Sequence, residues 1–179
     1  MCWLEVGVKR GDFSAAILSR AGPKKLILVD AWRHQPPEVY RDSANVGDAE
    51  QERIFKFVHR RFKKQIETKR VEIRRGYASE IMPTLRDKGI ECVYIDANHS
   101  RDCVLHDLRR SYEIVPSNGF ILGHDYAARF GVVEAVQQFL KETSGLKLHF
   151  ITNDNCPSFL ITEEDKQLGR PLREMILRG

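Results

Sequence analysis

A strand that leads through a helix into the next strand can pair with it in parallel; one that leads through a tight turn cannot. The order in which this chain uses the two connections leaves few folds open. Residues 3–8 (WLEVGV) read as a strand, and 13–20 as a helix stopped by Gly22-Pro23. Residues 26–30 are apolar up to Asp30, the pattern of a strand covered on both faces. Residues 33–49, with Pro36-Pro37, Asp42, Ser43, Asn45 and Gly47, have loop chemistry. From 49 to 66 the apolar residues Ile54, Phe55, Val58, Phe62 and Ile66 recur at helical spacing. A short strand at 71–73 and a helix over 79–88 follow. The rhythm then repeats with a strand at 90–96, a helical stripe from Val104 to Val115, a strand at 120–122 and a stripe from Val132 to Leu140. Residues 146–151 and 158–162 come next, with only Thr152-Asn153-Asp154-Asn155 as a turn between them, so this last pair is antiparallel. Five strand–helix units and a hairpin predict an α/β fold. It is a doubly wound, Rossmann-like sheet, mostly parallel, with one antiparallel strand near the C-terminus.

Length and composition narrow the partners. A chain of 179 residues is expected to form one domain, 1–179, with its core over about 3–162 and a tail or short helix over 163–179. No apolar stretch approaches the roughly 20 residues a membrane span needs, and the first residues lack a secretory pattern. Cys2, Cys92, Cys103 and Cys156 show no zinc-type spacing, which suits free thiols in a reducing cytoplasm. With 29 basic and 25 acidic residues the net charge is only +4, a poor argument for a nucleic-acid partner. The densest positive run, 59–75, reads as the solvated face of an amphipathic helix.

In a sheet of this kind ligands bind beyond the carboxyl ends of the strands. The first strand ends in Glu5-Val6-Gly7-Val8-Lys9-Arg10-Gly11, where glycines at 7 and 11 permit a sharp turn and a close approach by a ligand. The spacing is G-x-x-x-G rather than G-x-G-x-x-G, which weakens a dinucleotide reading and favours a ligand without a pyrophosphate. Asp30 closes the second strand, where a carboxylate can accept ribose hydroxyls. Asp96 ends the fourth strand with His99 three residues on, and Gly123-His124-Asp125 ends the fifth. Adjacent parallel strands bring these groups together, and two carboxylates buried side by side ask for a metal, a substrate cation or a shared proton. Lys9, Arg10, Trp32, Arg33 and Tyr126 lie beside this site as candidate substrate contacts. His34, His59, His106 and His149 read as surface or structural residues, and Asp107 as solvated.

The blocks LEVGVKRGDFS, VDAW, IDANHS and GHDYA resemble class I S-adenosylmethionine-dependent methyltransferases. The resemblance runs from about Trp3 to Leu140 and is to the small-molecule O-methyltransferase branch that includes macrocin O-methyltransferase. It implies that Glu5, Gly7 and Gly11 surround the methionine part of the cofactor, that Asp30 holds the ribose, and that Tyr77, Ala78 and Ser79 border the adenine, with Asp96 beside the cofactor. It further implies Asp96, His124 and Asp125 as ligands of magnesium or another divalent ion, with His99, and His124 beside it, as catalytic groups. His124 stands where metal-dependent relatives commonly have an acid; magnesium prefers oxygen donors, so manganese, iron, zinc or no metal stays open. The acceptor implied is a small hydroxylated compound, a sugar or natural product. Members of that branch carry helices ahead of the first strand as a lid or dimer contact, so here the lid comes from elsewhere or the chain is a truncated form. A homo-oligomer is left open. The alternatives are a Rossmann-type NAD-dependent oxidoreductase and a non-catalytic cofactor-binding protein. A nucleic-acid methyltransferase would show an NPPY-like or cysteine-nucleophile motif, and neither is present.

Overall fold

The chain was studied as a computed structural model that describes residues 1–150, 152 and 154–164. Parallel strands sandwiched between helices must be apolar on both sides, and the central strands satisfy this residue by residue. Leu4, Val6, Ile27, Val29, Val93 and Ile95 point to one face, and Trp3, Leu26, Leu28, Cys92 and Tyr94 to the other. Seven strands form one sheet in the order β3-β2-β1-β4-β5-β7-β6. They are β1 (Cys2–Val6), β2 (Lys25–Asp30), β3 (Val71–Arg75), β4 (Cys92–Ile95), β5 (Phe120–Gly123), β6 (Leu146–Phe150) and β7 (Phe159–Glu163). The first five pair in parallel. Strand β7 is the antiparallel one, slotted between β5 and β6. The strand order reverses at β1, between β2 and β4, and a crevice opens there.

The helices depart from the sequence pattern at identifiable residues. Helix α1 (Asp12–Ala16) widens into a π-turn over Ile17–Ala21, which Gly22 ends in the left-handed conformation. The stripe from 49 to 66 is two helices, α2 (Asp48–Arg61) and α3 (Lys63–Glu67). They part at Phe62, whose ring is buried against Gly11. Residues 79–88 divide into α4 (Ala78–Ile81) and a 3-10 turn over Met82–Lys88, where Pro83 removes a backbone donor. Helices α5 (Arg101–Ile114) and α6 (Val132–Glu142) pack with α4 on one face of the sheet; α1 and α2 cover the other. No helix among the described residues is long and apolar enough to cross a membrane. All four cysteines are free, with Cys92 in the core. The turn expected at 152–155 includes residue 153, and the tail expected over 163–179 includes 165–179; both stretches lie outside the described residues.

Candidate active site

Register alone puts the chemistry in a row. Val6 pairs with Val29 and Ile95, and Ile95 with Gly123, so the residues just beyond run Asp30, Gly7, Asp96, His124 along the carboxyl edge of four adjacent strands. Backbone bonds carry the ladder past the strand ends: Gly7 N–H donates to Val29 O, Asp96 N–H to Val6 O and His124 N–H to Ile95 O. Along this edge lies a cavity of about 650 Å³, within the range of small-molecule sites.

On the β1 side, the loop after the strand is built around Asp30. Its Oδ2 accepts from the N–H groups of Val8 (2.9 Å) and Lys9 (2.8 Å), and its Oδ1 from that of Trp32 (2.8 Å). Trp32 is therefore no substrate contact: it is 1% exposed, and its indole N–H donates to Lys9 O. Gly7 (φ 88°) is needed because a Cβ there would lie 1.9 Å from Asp96 O, and Gly11 because a Cβ would meet the Phe62 ring at 2.6 Å. Both glycines make room for protein atoms. Gly7 lines the cavity; Gly11, at the start of α1, does not. Glu5 is buried with Ser14 Oγ donating to it at 2.5 Å. Burial pushes its carboxyl up to about 8, against the lowering bond from Ser14, with the charges of Asp96 and Asp30 adding to the rise.

On the β4–β5 side, Asp96, His124 and Asp125 offer one ligand atom each, all within 4.8 Å of one another. His99 Nε2 lies 3.0 Å from Asp125 Oδ2 and 3.5 Å from Asp96 Oδ1, and Nδ1 lies 4.0 Å from Asp42 Oδ2. Asp125 has φ 57°, a left-handed conformation that costs energy outside glycine and is tolerated by aspartate. Burial pulls the His99 pKa down, but the bond to Asp96 and the charges of Asp125, Asp96 and Asp42 outweigh it, so the net shift is upward. Phe130 packs on its ring at 5.0 Å between centroids. The four groups expected from 96 to 125 do converge.

A methyltransferase-domain family model matches residues 4–126, from β1 through the last member of this cluster. The chain belongs to this methyltransferase family. Solved structures of like fold include the SAH-bound Podospora anserina methyltransferase (16% identity, TM-score 0.63, covering 92% of this chain and 72% of that one). The Bacillus cereus O-methyltransferase in complex with SAH is similar at 12% identity and TM-score 0.63 (90% and 74% covered). An rRNA methylase from Streptococcus thermophilus is similar at 12% and 0.61 (90% and 86%). No curated protein matches the sequence.

Two parts of the methyltransferase cleft escaped the sequence reading. Residues 31–47, irregular and without periodicity, form a wall that brings in Tyr40 and Asp42; Asn98 Nδ2 donates to Val39 O (2.9 Å) and ties that wall to the loop after β4. Burial first, and then the carboxylates of Asp42, Asp30, Asp96 and Asp125, push the Tyr40 hydroxyl pKa up. The second part is His106 and Asp107 on α5, which line the cavity. Asp107 is 5% exposed rather than solvated, because helix α5 turns it inward among Val104, Leu105 and Leu108. Of the other expectations, Lys9, Arg10 and Arg33 line the cavity, Tyr77, Ala78 and Ser79 line it beyond β3, and Tyr126 packs on Phe159 outside it. His34 and His59 are at the surface, and His149 pairs with Thr162 Oγ1. The basic run partly serves the fold: Arg61 bonds Arg10 O and Asp12, Arg70 bonds Pro23 O, and Arg75 bonds Trp32 O and Glu52.

Proposed function

We propose that this methyltransferase uses S-adenosylmethionine to methylate a hydroxyl of a small acceptor, a sugar or natural product, in the cytoplasm, with a divalent cation at Asp96, His124 and Asp125. The observation that carries the reading is the position of His99, within hydrogen-bond reach of Asp125 in a cluster of three potential ligands that lines the same cavity as the β1 loop. One nitrogen and two carboxylates suit manganese, iron or zinc better than magnesium. Such an ion lowers a hydroxyl's pKa, and the cofactor supplies a methyl group on a sulfonium. Asp96, His124 and Asp125 would hold that ion, and His99, whose Nε2 faces Asp96 and Asp125, is the group placed to take the hydroxyl proton; His124 is the second candidate for that role where no ion binds. The chain's larger contribution is positioning: Asp30, Gly7 and Asp96 stand in one rigid row, so donor and acceptor are held in line. Asp30 has about four lone-pair sites and spends three on backbone N–H groups, which leaves room for one ribose hydroxyl rather than two.

Thermal unfolding tests the cofactor. At 100 times its dissociation constant S-adenosylhomocysteine adds about 2.7 kcal/mol, a rise in midpoint of about 7 °C for a chain of this size. A rise with NAD and none with S-adenosylhomocysteine would overturn the reading. Transfer of labelled methyl to a hydroxylated acceptor should stop on chelation and return with manganese; a rate indifferent to chelator would remove the cation.

A further inference from the structure

We propose that residues 35–45 form a hinged strap that closes over the bound cofactor and opens to admit and release it, with Asn98 as its latch. The proposal rests on the reading of the cleft as an S-adenosylmethionine site. The chain leaves the sheet at the end of β2 and returns at the start of α2. Between these points it reaches the loop after β4, where Asn98 Nδ2 donates to Val39 O. Strand β1 lies between β2 and β4, so the strap passes across the carboxyl end of β1, where Gly7 stands. Gln35, Val39, Tyr40, Asp42, Ser43 and Ala44 line the cavity from the strap, and Asp30, Gly7 and Asp96 line it from the sheet edge. A ligand lying along that edge is held between sheet and strap.

The strap is stiff inside and lightly held across the cleft. Asn45 uses its whole side chain to close it: Oδ1 accepts from Gln35 N–H (2.9 Å), and Nδ2 donates to Gln35 O (2.8 Å) and Tyr40 O (2.7 Å). Val39 N–H and Tyr40 N–H both donate to Pro36 O, and Ala44 N–H donates to Asp42 Oδ1. With Pro36 and Pro37 fixing their own backbone angles, these bonds make the segment move as one piece. Its two roots are anchored. Trp32 is bonded to Asp30 and Arg75, His34 N–H to Asp48 Oδ1, and Ala44 O to Gln51 Nε2. Across the cleft the strap is held by the exposed bond from Asn98 and by the looser approach of Asp42 Oδ2 to His99 Nδ1 at 4.0 Å. An exposed hydrogen bond exchanges readily with water and has a small net value, so this latch can hold the strap shut and still release it. Asn98 precedes His99, so the closed strap also sets Asp42 beside that imidazole.

The test is stopped-flow mixing of the full chain with increasing S-adenosylhomocysteine, followed by the fluorescence of Trp32 at the root of the strap. In the unaltered protein the observed binding rate should level off at high concentration, at the rate of strap opening. Asn98→Asp keeps the Oδ1 that accepts from Ser100 N–H and loses the donor to Val39 O. With a melting profile like that of the parent, this variant should raise the plateau and the dissociation rate together by about fivefold and leave Kd within about twofold. A rate that stays proportional to concentration in the unaltered protein, or a variant in which the dissociation rate alone changes, would overturn the proposal while leaving the cofactor reading in place. Should Asn98→Asp fail to fold, the concentration dependence in the unaltered protein decides. A protein whose fluorescence and melting are both indifferent to S-adenosylhomocysteine would overturn the cofactor reading itself and this proposal with it.

Discussion

Asp30 illustrates how one side chain at the cleft can hold two segments of the fold together. Three backbone N–H groups of the β1 loop and of Trp32 end on its carboxylate, so Asp30→Ala should cost about 2–3 kcal/mol in urea unfolding as well as cofactor affinity. Asp30→Asn, which keeps one acceptor oxygen, should recover part of the stability; equal stability of Asp30→Ala and parent would show that the loop holds itself. His99 stands at the other end of the row with both nitrogens facing carboxylates. His99→Gln should lower kcat by about 10²–10⁴-fold with S-adenosylhomocysteine affinity unchanged. A full rate in that variant would move the base to His124. His99 was legible in the sequence because it follows a strand-end acid at three residues' distance. Asp42 was not, because nothing in a loop without periodicity says which way it folds back.

Among the elements, β7 decides the shape of the site without contributing a residue to it. It enters between β5 and β6, and Phe159 comes to rest over Gly123, where a Cβ would lie 2.4 Å from the ring. Gly123 is the residue before His124 and Asp125, so pressure there is felt where Asp96, His124 and Asp125 converge. Gly123→Ala should destabilise by about 1–3 kcal/mol. Phe159→Leu, itself mildly destabilising, should relieve much of that cost in the double variant; strictly additive effects would show that ring and glycine are uncoupled. The antiparallel sense of this strand was readable, since a short turn forbids a parallel pairing. Its insertion beside β5 was not, because pairing partners are chosen by distant faces.

For the whole molecule, Glu5 ties stability to pH. Its carboxyl, ordinarily at 4.5, is raised to about 8 in the fold, so folding takes up a proton between those values. The stability this supplies is complete below pH 4.5 and is lost as pH rises through about 8. Urea unfolding at pH 6 and 8.5 should therefore show a larger loss for the parent than for Glu5→Gln, by more than about 1 kcal/mol; parallel losses would mean that Glu5 is ionised throughout. Local pattern was enough to determine the alternation of strands and helices, the parallel core and the four groups from Asp96 to Asp125, because strand ends and side-chain period are properties of neighbouring residues. Only the tertiary structure decided that Gly7 and Gly11 yield to Asp96 and Phe62, that residues 31–47 wall the cleft, and that Asp107 turns inward. Each of these depends on which atoms arrive from far along the chain, and packing, not sequence spacing, sets that.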